Sequence, residues 1–216
     1  MRDRVRIIEE QLLADNWGTV KKTTLELRRS NGEWQRQIRE TYDRGDGAGV
    51  LLYNRAQHTV ILTRQFRFPA FYHGEPGWLI EVVAGKLDGD DPVTTAKKEA
   101  EEESGYHVHD VELVLNAWMS PGSVTEKLSL FIAEYDADTK RSAGGGLADE
   151  GEDIEVLELG IDAALAMIRT GEIEDAKTII LLQHLRLAGC SWSAAPVAYP
   201  PAPRPPGPAQ RPPPPP

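Results

Sequence analysis

The chain has 216 residues, 40% of them hydrophobic and 27% charged, a length and balance that suit one globular domain with a core of useful size. Its net charge of −10 and pI near 5.0 exclude a chain-wide basic field for nucleic acid or anionic membrane, so a polyanionic substrate needs local Arg and Lys or a metal. A single cysteine, Cys190, excludes an intramolecular disulfide, and neither a secretory h-region nor a run of about 18 apolar residues is visible. The expected address is the cytoplasm.

In chain order, Val5 to Leu13 mixes apolar and charged residues and begins a strand. Trp17 to Arg29 and Glu33 to Thr41 flank Asn31-Gly32, which predicts a hairpin closed by a type I′ turn. Residues 1–43 thus form a small antiparallel subdomain. A sheet of this size is marginal alone, so it is expected to pack on the main domain, residues 44–190, or on a second subunit. Arg44-Gly-Asp-Gly-Ala-Gly precedes a strand instead of joining strand to helix, which rejects a dinucleotide loop. Val50 to Tyr53 and Thr59 to Phe66 are near-continuous apolar runs that suit buried strands. Arg64 and Arg67 near the end of the second run point to opposite faces, so only one can face a given site. Phe68 to Gly77, with Pro69, Gly74 and Pro76, reads as a mobile loop, and Trp78 to Ala84 as a strand bringing Glu81 close to the glycine at 85.

The segment from Gly85 to Tyr106 reads GKLDGDDPVTTAKKEAEEESGY. Asp91 is a good N-cap, Pro92 fits the first helical position, Val93 to Ser104 continue the helix, and Gly105 suits the left-handed residue that ends it. Val93, Ala96 and Ala100 form a narrow apolar stripe beside Glu99, Glu102 and Glu103 at i, i+3 and i+4. Like charges so spaced cost roughly 0.2–0.5 kcal/mol per pair, which a hard divalent cation would relieve. A solvated acidic face is the alternative.

Val108 to Trp118 and Leu128 to Tyr135 read as strands; His107 and His109 lack a third ligand at metal spacing and read as surface residues. Ser120 to Glu126 is a Pro-Gly turn, and Arg141 to Asp153 a flexible acidic loop carrying Asp149, Glu150 and Glu152. Ile154 to Leu159 is a strand, Ile161 to Thr170 a helix, and Lys177 to Ala188 the last helix. Lys177 opens that helix against its dipole, which suggests a bound phosphate; a solvent-facing lysine is the alternative. Residues 191–216 are proline-rich and cannot form a core; an inert tail is favoured over an SH3-type or WW-type ligand.

Gly85, Asp91, Lys98, Glu99, Ala100, Glu102, Glu103, Gly105 and Tyr106 together resemble the Nudix box. Asp91 stands for the usual Glu, Lys98 for the usual Arg, and the segment between them is one residue short. That shortening, with YDRGDGAGVLLYN, RQFR, MSPGSVTE, FIAEY, AGGG, EDIEVLEL and TGEIEDAKT, resembles the GDP-mannose hydrolase branch over most of residues 5–188.

The resemblance implies an α/β/α sandwich around a mixed β-sheet with an N-terminal antiparallel subdomain. It also implies a homodimer and Mg²⁺-dependent hydrolysis of GDP-mannose, with Mn²⁺ as the alternative ion. Glu99, Glu102 and Glu103 are then metal ligands, joined by the Ala84 carbonyl and Glu152. Glu152 or Glu126 handles the attacking water, and Lys98 orients the glutamates. The implied substrate contacts are Trp17 and Arg39, on an N-terminal region that helps to build the site of the second subunit, with Arg67, Gly85, Glu126 and Lys177. An ADP-ribose or ADP-sugar pyrophosphatase is the nearest alternative, and a non-catalytic nucleotide-sugar sensor the second.

Overall fold

Three long strands open the chain, β1 (Val5–Asp15), β2 (Thr19–Arg28) and β3 (Trp34–Asp43), paired antiparallel in that order as a separate sheet. The structure is a computed structural model that describes residues 2–188; Cys190 and the proline-rich segment lie outside the described residues. The β2–β3 connection is not the expected type I′ turn. Arg29 N donates to Glu33 O and Gly32 N to Arg29 O, and of Asn31 and Gly32 only the glycine has positive φ, 89°. Asn31 supplies the reason, because its Oδ1 accepts from Glu33 N at 3.1 Å and closes the bend by an Asx contact.

This sheet meets the rest of the molecule through the end of β3, where Tyr42 N donates to Ser123 O and Thr125 N to Tyr42 O. Ile7, Leu12 and Ile38 are each more than half exposed on it.

The main sheet has seven strands: β4 (Gly47–Asn54), β5 (Thr59–Phe66), β6 (Trp78–Glu81), β7 (Val83–Lys86), β8 (Glu112–Trp118), β9 (Lys127–Glu134) and β10 (Glu155–Gly160). Its order is β10-β5-β4-β9-β8, with β6 also on β5 and β7 also on β4; β4 and β9 run parallel and the other pairs antiparallel, so the sheet is mixed. Every residue of β4 is buried. Strand alternation divides it between two cores. Leu51 and Tyr53 pack toward α3 (Ile161–Thr170) and the final helix Ala176–Leu187, with Leu181, Leu182 and Leu185. Ala48, Val50 and Leu52 pack on the opposite face against Ala96 and Ala100 of the carboxylate helix, α2 (Pro92–Glu99), and its continuation. Helices thus cover both faces of one mixed sheet, the α/β/α sandwich expected.

Several local expectations need correction. Phe68–His73 is a short helix, α1, not a loop: Pro69 pre-sets its first turn and Gly74 closes it at φ 113°. The prolines and glycines that suggest irregular chain are here the caps. The strand expected over Trp78–Ala84 breaks at Val82, whose amide donates to Thr178 Oγ1 at 2.8 Å, so β6 pairs with β5 and β7 with β4. In α2 the Asp91 cap is as expected, accepting from Val93 N and Thr94 N. Regular helix stops at Glu99, however, and Ala100–Ser104 form a π-helical turn ended by Gly105 at φ 79°. Val93 is 41% exposed, which leaves Ala96 and Ala100 as the packing stripe. Strand β8 begins at Glu112 instead of Val108, and the last helix, α4 (Ala176–Leu187), begins one residue early. Among the described residues no helix is long and apolar enough to cross a membrane.

Leu181 is fully buried between α4 and the sheet. We expect Leu181→Ala to lower unfolding free energy by roughly 2–5 kcal/mol in urea titrations. A loss under about 1 kcal/mol would mean that this face relaxes around the cavity.

Candidate active site

The end of α2 and the π turn present Glu99, Glu102 and Glu103 toward β7. Gly85 makes the approach possible, because a Cβ there would run into the Glu99 carboxylate. Glu103 is 3% exposed and accepts a hydrogen bond from the Ala84 amide. Burial, then the neighbouring charges of Glu99 and Glu152, push its carboxyl up to about 8, against the pull of Arg67 and the Ala84 amide. Lys98 pairs with Glu102, four residues on, at 3.7 Å.

These groups open on a cleft of about 680 Å³ whose wall includes Glu99, Glu102, Glu152, Lys98, Arg67 and Trp17. A recess of about 460 Å³ adjoins it, sharing Phe66, Arg67, Ala84 and Gly85 and adding Glu126, Lys177 and Phe68. Trp17 of the first sheet lines the cleft of its own chain and is 82% exposed, which leaves its ring free to stack. Arg39 is not among the lining residues; its guanidinium bonds Ile38 O and Gln37 Oε1 on the surface of β3. Glu126 pairs with Arg44 at 3.3 Å on the recess side. A larger cavity of about 820 Å³, near Tyr53, His109 and Tyr135, holds none of the candidate residues. His107 bonds Glu101 at the surface, in keeping with its expected place.

Behind the cleft lies a buried charge network that sequence reasoning did not assemble. Arg67 grips Glu81 with two bonds, Nε to Oε1 at 3.0 Å and Nη2 to Oε2 at 2.7 Å. Lys177 Nζ donates to Glu81 Oε2 at 2.8 Å and to Asp175 Oδ1 at 3.0 Å. Asp175 caps α4 through Thr178, whose hydroxyl accepts from Val82 at the β6–β7 break. Burial opposes ionisation of Glu81, yet the Arg67 hydrogen bonds and the Lys177 and Arg67 charges hold its carboxyl at about 2. The ammonium of Lys177, expected to meet a phosphate, is therefore spent on two carboxylates, which answers the charge conflict with the helix dipole. The alternation of Trp78-Leu-Ile-Glu81 against Arg67 was the available signal; nothing in sequence spacing pointed to Lys177 as its second partner.

The donor set fits a hard divalent cation. It is all oxygen, it includes a buried carboxyl facing two further acids, and Thr95 Oγ1, on a residue of the cleft wall, is buried without a hydrogen-bond partner. Among the described residues no three acidic, His or Cys side chains already enclose one point at ligand distance, so the acids share a cleft without a finished coordination sphere.

Residues 4–42 match the family description "GDP-mannose pyrophosphatase NudK N-terminal domain", and residues 43–179 match "NUDIX domain". A GDP-mannose pyrophosphatase of Pectobacterium atrosepticum is 52% identical over 190 residues, covering 88% of this chain and 97% of that one. One of Citrobacter koseri is 50% identical over 186 residues, covering 86% and 96%, and one of Escherichia coli O157:H7 is 48% identical over 189 residues, covering 87% and 98%. Among solved structures, an ADP compounds hydrolase superposes with a TM-score of 0.66 at 19% identity over 87% of this chain and 96% of that chain, a likeness of fold.

The two buried carboxyls make opposite predictions for stability. Glu103 keeps its proton to about pH 8 when folded but loses it near the ordinary 4.5 when unfolded, so the folded state binds more protons in that window and stability falls as pH rises through it. In EDTA, Glu103→Gln should flatten the fall in urea midpoint between those values; a parental slope would refute the raised titration of that buried carboxyl. Glu81 has the reverse sign: its contribution is present above the ordinary 4.5 and is lost as pH falls toward about 2. Glu81→Gln should remove that acid-side loss while lowering stability at neutral pH.

Proposed function

The chain belongs to the NUDIX family, and on that premise we propose that it hydrolyses the pyrophosphate bond of a nucleoside diphosphate sugar, GDP-mannose, to GMP and mannose 1-phosphate. The observation that carries the chemistry is the convergence of Glu99, Glu102 and Glu152 on one cleft beside Arg67 and Lys98, with the buried Glu103 within the field of Glu99 and Glu152. Curated relatives near 50% identity, named GDP-mannose pyrophosphatases and covered over nearly their whole length, support the substrate.

Glu99, Glu102, Glu103, Glu152 and the carbonyl of Ala84 would hold Mg²⁺, with Mn²⁺ as substitute. Bound there, the ion would offset charge on the phosphate oxygens and lower the pKa of a coordinated water. Arg67 fixes the diphosphate: Glu81 binds two of its nitrogens and pins the fork, leaving Nη1 for a phosphate oxygen. A water attacks one phosphorus, the bridging P–O bond breaks, and Glu152 takes the water's proton. Glu152 is preferred over Glu126 because it shares the cleft wall with Glu99 and Glu102, whereas Glu126 pairs with Arg44 in the adjoining recess. Lys98 holds Glu102 in place, and Trp17 stacks on the base. Lys177 acts indirectly, by securing Glu81.

We propose further that the protein works as a homodimer in the cytoplasm. The exposed Ile7, Leu12 and Ile38 of the first sheet support the dimer, and the lone cysteine suits a reducing compartment.

With Mg²⁺ and a panel of GDP-mannose, GDP-glucose, ADP-ribose and ADP-glucose, we expect GMP release from GDP-mannose to be fastest. Glu103→Gln should lower kcat on the order of 10²–10³-fold while the protein stays folded. Preference for ADP-ribose would move the substrate and keep the chemistry; no turnover by folded parent would make the protein a nucleotide-sugar sensor. Deletion of residues 191–216 should leave kcat within about twofold, since those residues fall outside both family matches.

A further inference from the structure

One segment outside the carboxylate helix binds the backbone of two of its acids. Gly144, Gly145 and Gly146 all take positive φ, 72°, 114° and 76°. Their amides face the π turn: Gly145 N donates to Glu103 O at 2.9 Å and Gly146 N to Glu102 O at 3.1 Å. Carbonyls at a helix end lack intrahelical partners, so the segment satisfies groups that the turn cannot. The grip extends upstream in the same direction, because Arg141 N and Ser142 N donate to Gly105 O at 2.7 and 3.2 Å. The backbones come so close that a Cβ on Gly105 would meet Ser142 O and Gly144 N, and one on Gly144 would meet Glu103 O and Gly105 N. Glycine alone accepts both the conformation and the approach.

At its far end the same segment touches the loop acid. Leu147 N donates to Glu152 Oε2 at 2.9 Å, and Glu152 N donates to Leu147 O at 3.2 Å. A Cβ on Gly146 would strike the Glu152 carboxylate. The neighbouring Gly145 O accepts from Ile154 N, tying the segment to the approach to β10.

We infer that Gly144-Gly145-Gly146 is a positioning element that sets Glu152 relative to Glu102 and Glu103. Its amides fix the turn that carries the two helix acids, and its end fixes the side chain of the third. Glu103 and Glu152 repel wherever both are ionised, and the close packing of Gly144 and Gly146 holds the loop against that repulsion. The inference deepens the functional reading above and rests on it for the role of Glu152.

The test is a double-mutant cycle on the full chain: parent, Gly146→Ala, Glu152→Gln and the double variant. Kinetics give kcat and KM for GDP-mannose, and calorimetry gives the Mg²⁺ dissociation constant without substrate. Acting through Glu152, Gly146→Ala should lower kcat at least about tenfold with KM within about twofold, and should add less than about twofold to the losses of Glu152→Gln in kcat and Mg²⁺ affinity. Losses that multiply in the double variant, or a parental kcat for Gly146→Ala, overturn the inference. If Gly146→Ala does not fold, Ser142→Ala repeats the cycle: it frees the Gly144 amide, now 3.1 Å from Ser142 Oγ, without adding an atom. The same non-additivity is expected there, and multiplying losses or parental behaviour overturn the inference equally. If the parent cleaves no nucleotide sugar, the functional reading fails alone, and the Mg²⁺ cycle still decides the coupling.

Discussion

The cleft depends on holding carboxylates where electrostatics would not leave them. Glu99, Glu102 and Glu103 sit at the C-terminal end of their helix, the negative end of its dipole, and Glu103 is buried as well. Ala96 and Ala100 resist the resulting repulsion by seating the helix against β4, and Gly85 lets Glu99 lie against β7. The structure thus stores an unfavourable charge arrangement in packed, rigid elements. A binding cation releases that cost, so the sequence features that look least stable by local rules are those most useful to the chemistry.

The network behind the cleft solves the opposite problem. Glu81 is as buried as Glu103, yet one carboxyl is held near 2 and the other pushed to about 8. The difference is in the partners: Glu81 has an Arg and a Lys in hydrogen-bond contact, while Glu103 has an amide and two acids. Two carboxylates on neighbouring strand and helix are thereby given separate tasks, one fixing Arg67 and the other facing the cation. The Asp175–Thr178–Val82 chain carries the first arrangement to the start of α4 and to the point where one strand becomes two.

Much of this was legible in the sequence where local chemistry and tertiary packing agree. The Asp91 cap, the Gly105 terminator, the buried run of β4 and the extent of α3 all follow from propensity and periodicity, and the i, i+3 spacing put Glu99 and Glu102 on one face, where both line the cleft. Expectations failed where a residue has two uses. Pro69 and Gly74 punctuate loops but also cap helices, and Asn31 left the expected turn because its side chain met Glu33. Lys177 and Glu81 are far apart in the chain, and their pairing depends on the α4 and β6 positions that only the fold supplies. The glycines at 144–146 were visible as a motif, but their hydrogen bonds to Glu102 and Glu103 have no local signature.

The parallel pairing at the centre of the sheet has a kinetic consequence. Strand β4 lies between β5 on one edge and β9 on the other, and Gly47 finds its parallel partner only at Leu128. As the chain leaves the ribosome, β5, β6, β7 and α2 all emerge before that partner, so one edge of an entirely buried strand waits unpaired while its neighbours are already made. Such non-local closure slows folding and exposes a strand edge to other chains in the interval. For this molecule the vulnerable species is the nascent chain that ends before β9, and its yield in the cell depends on how quickly synthesis carries it past that point.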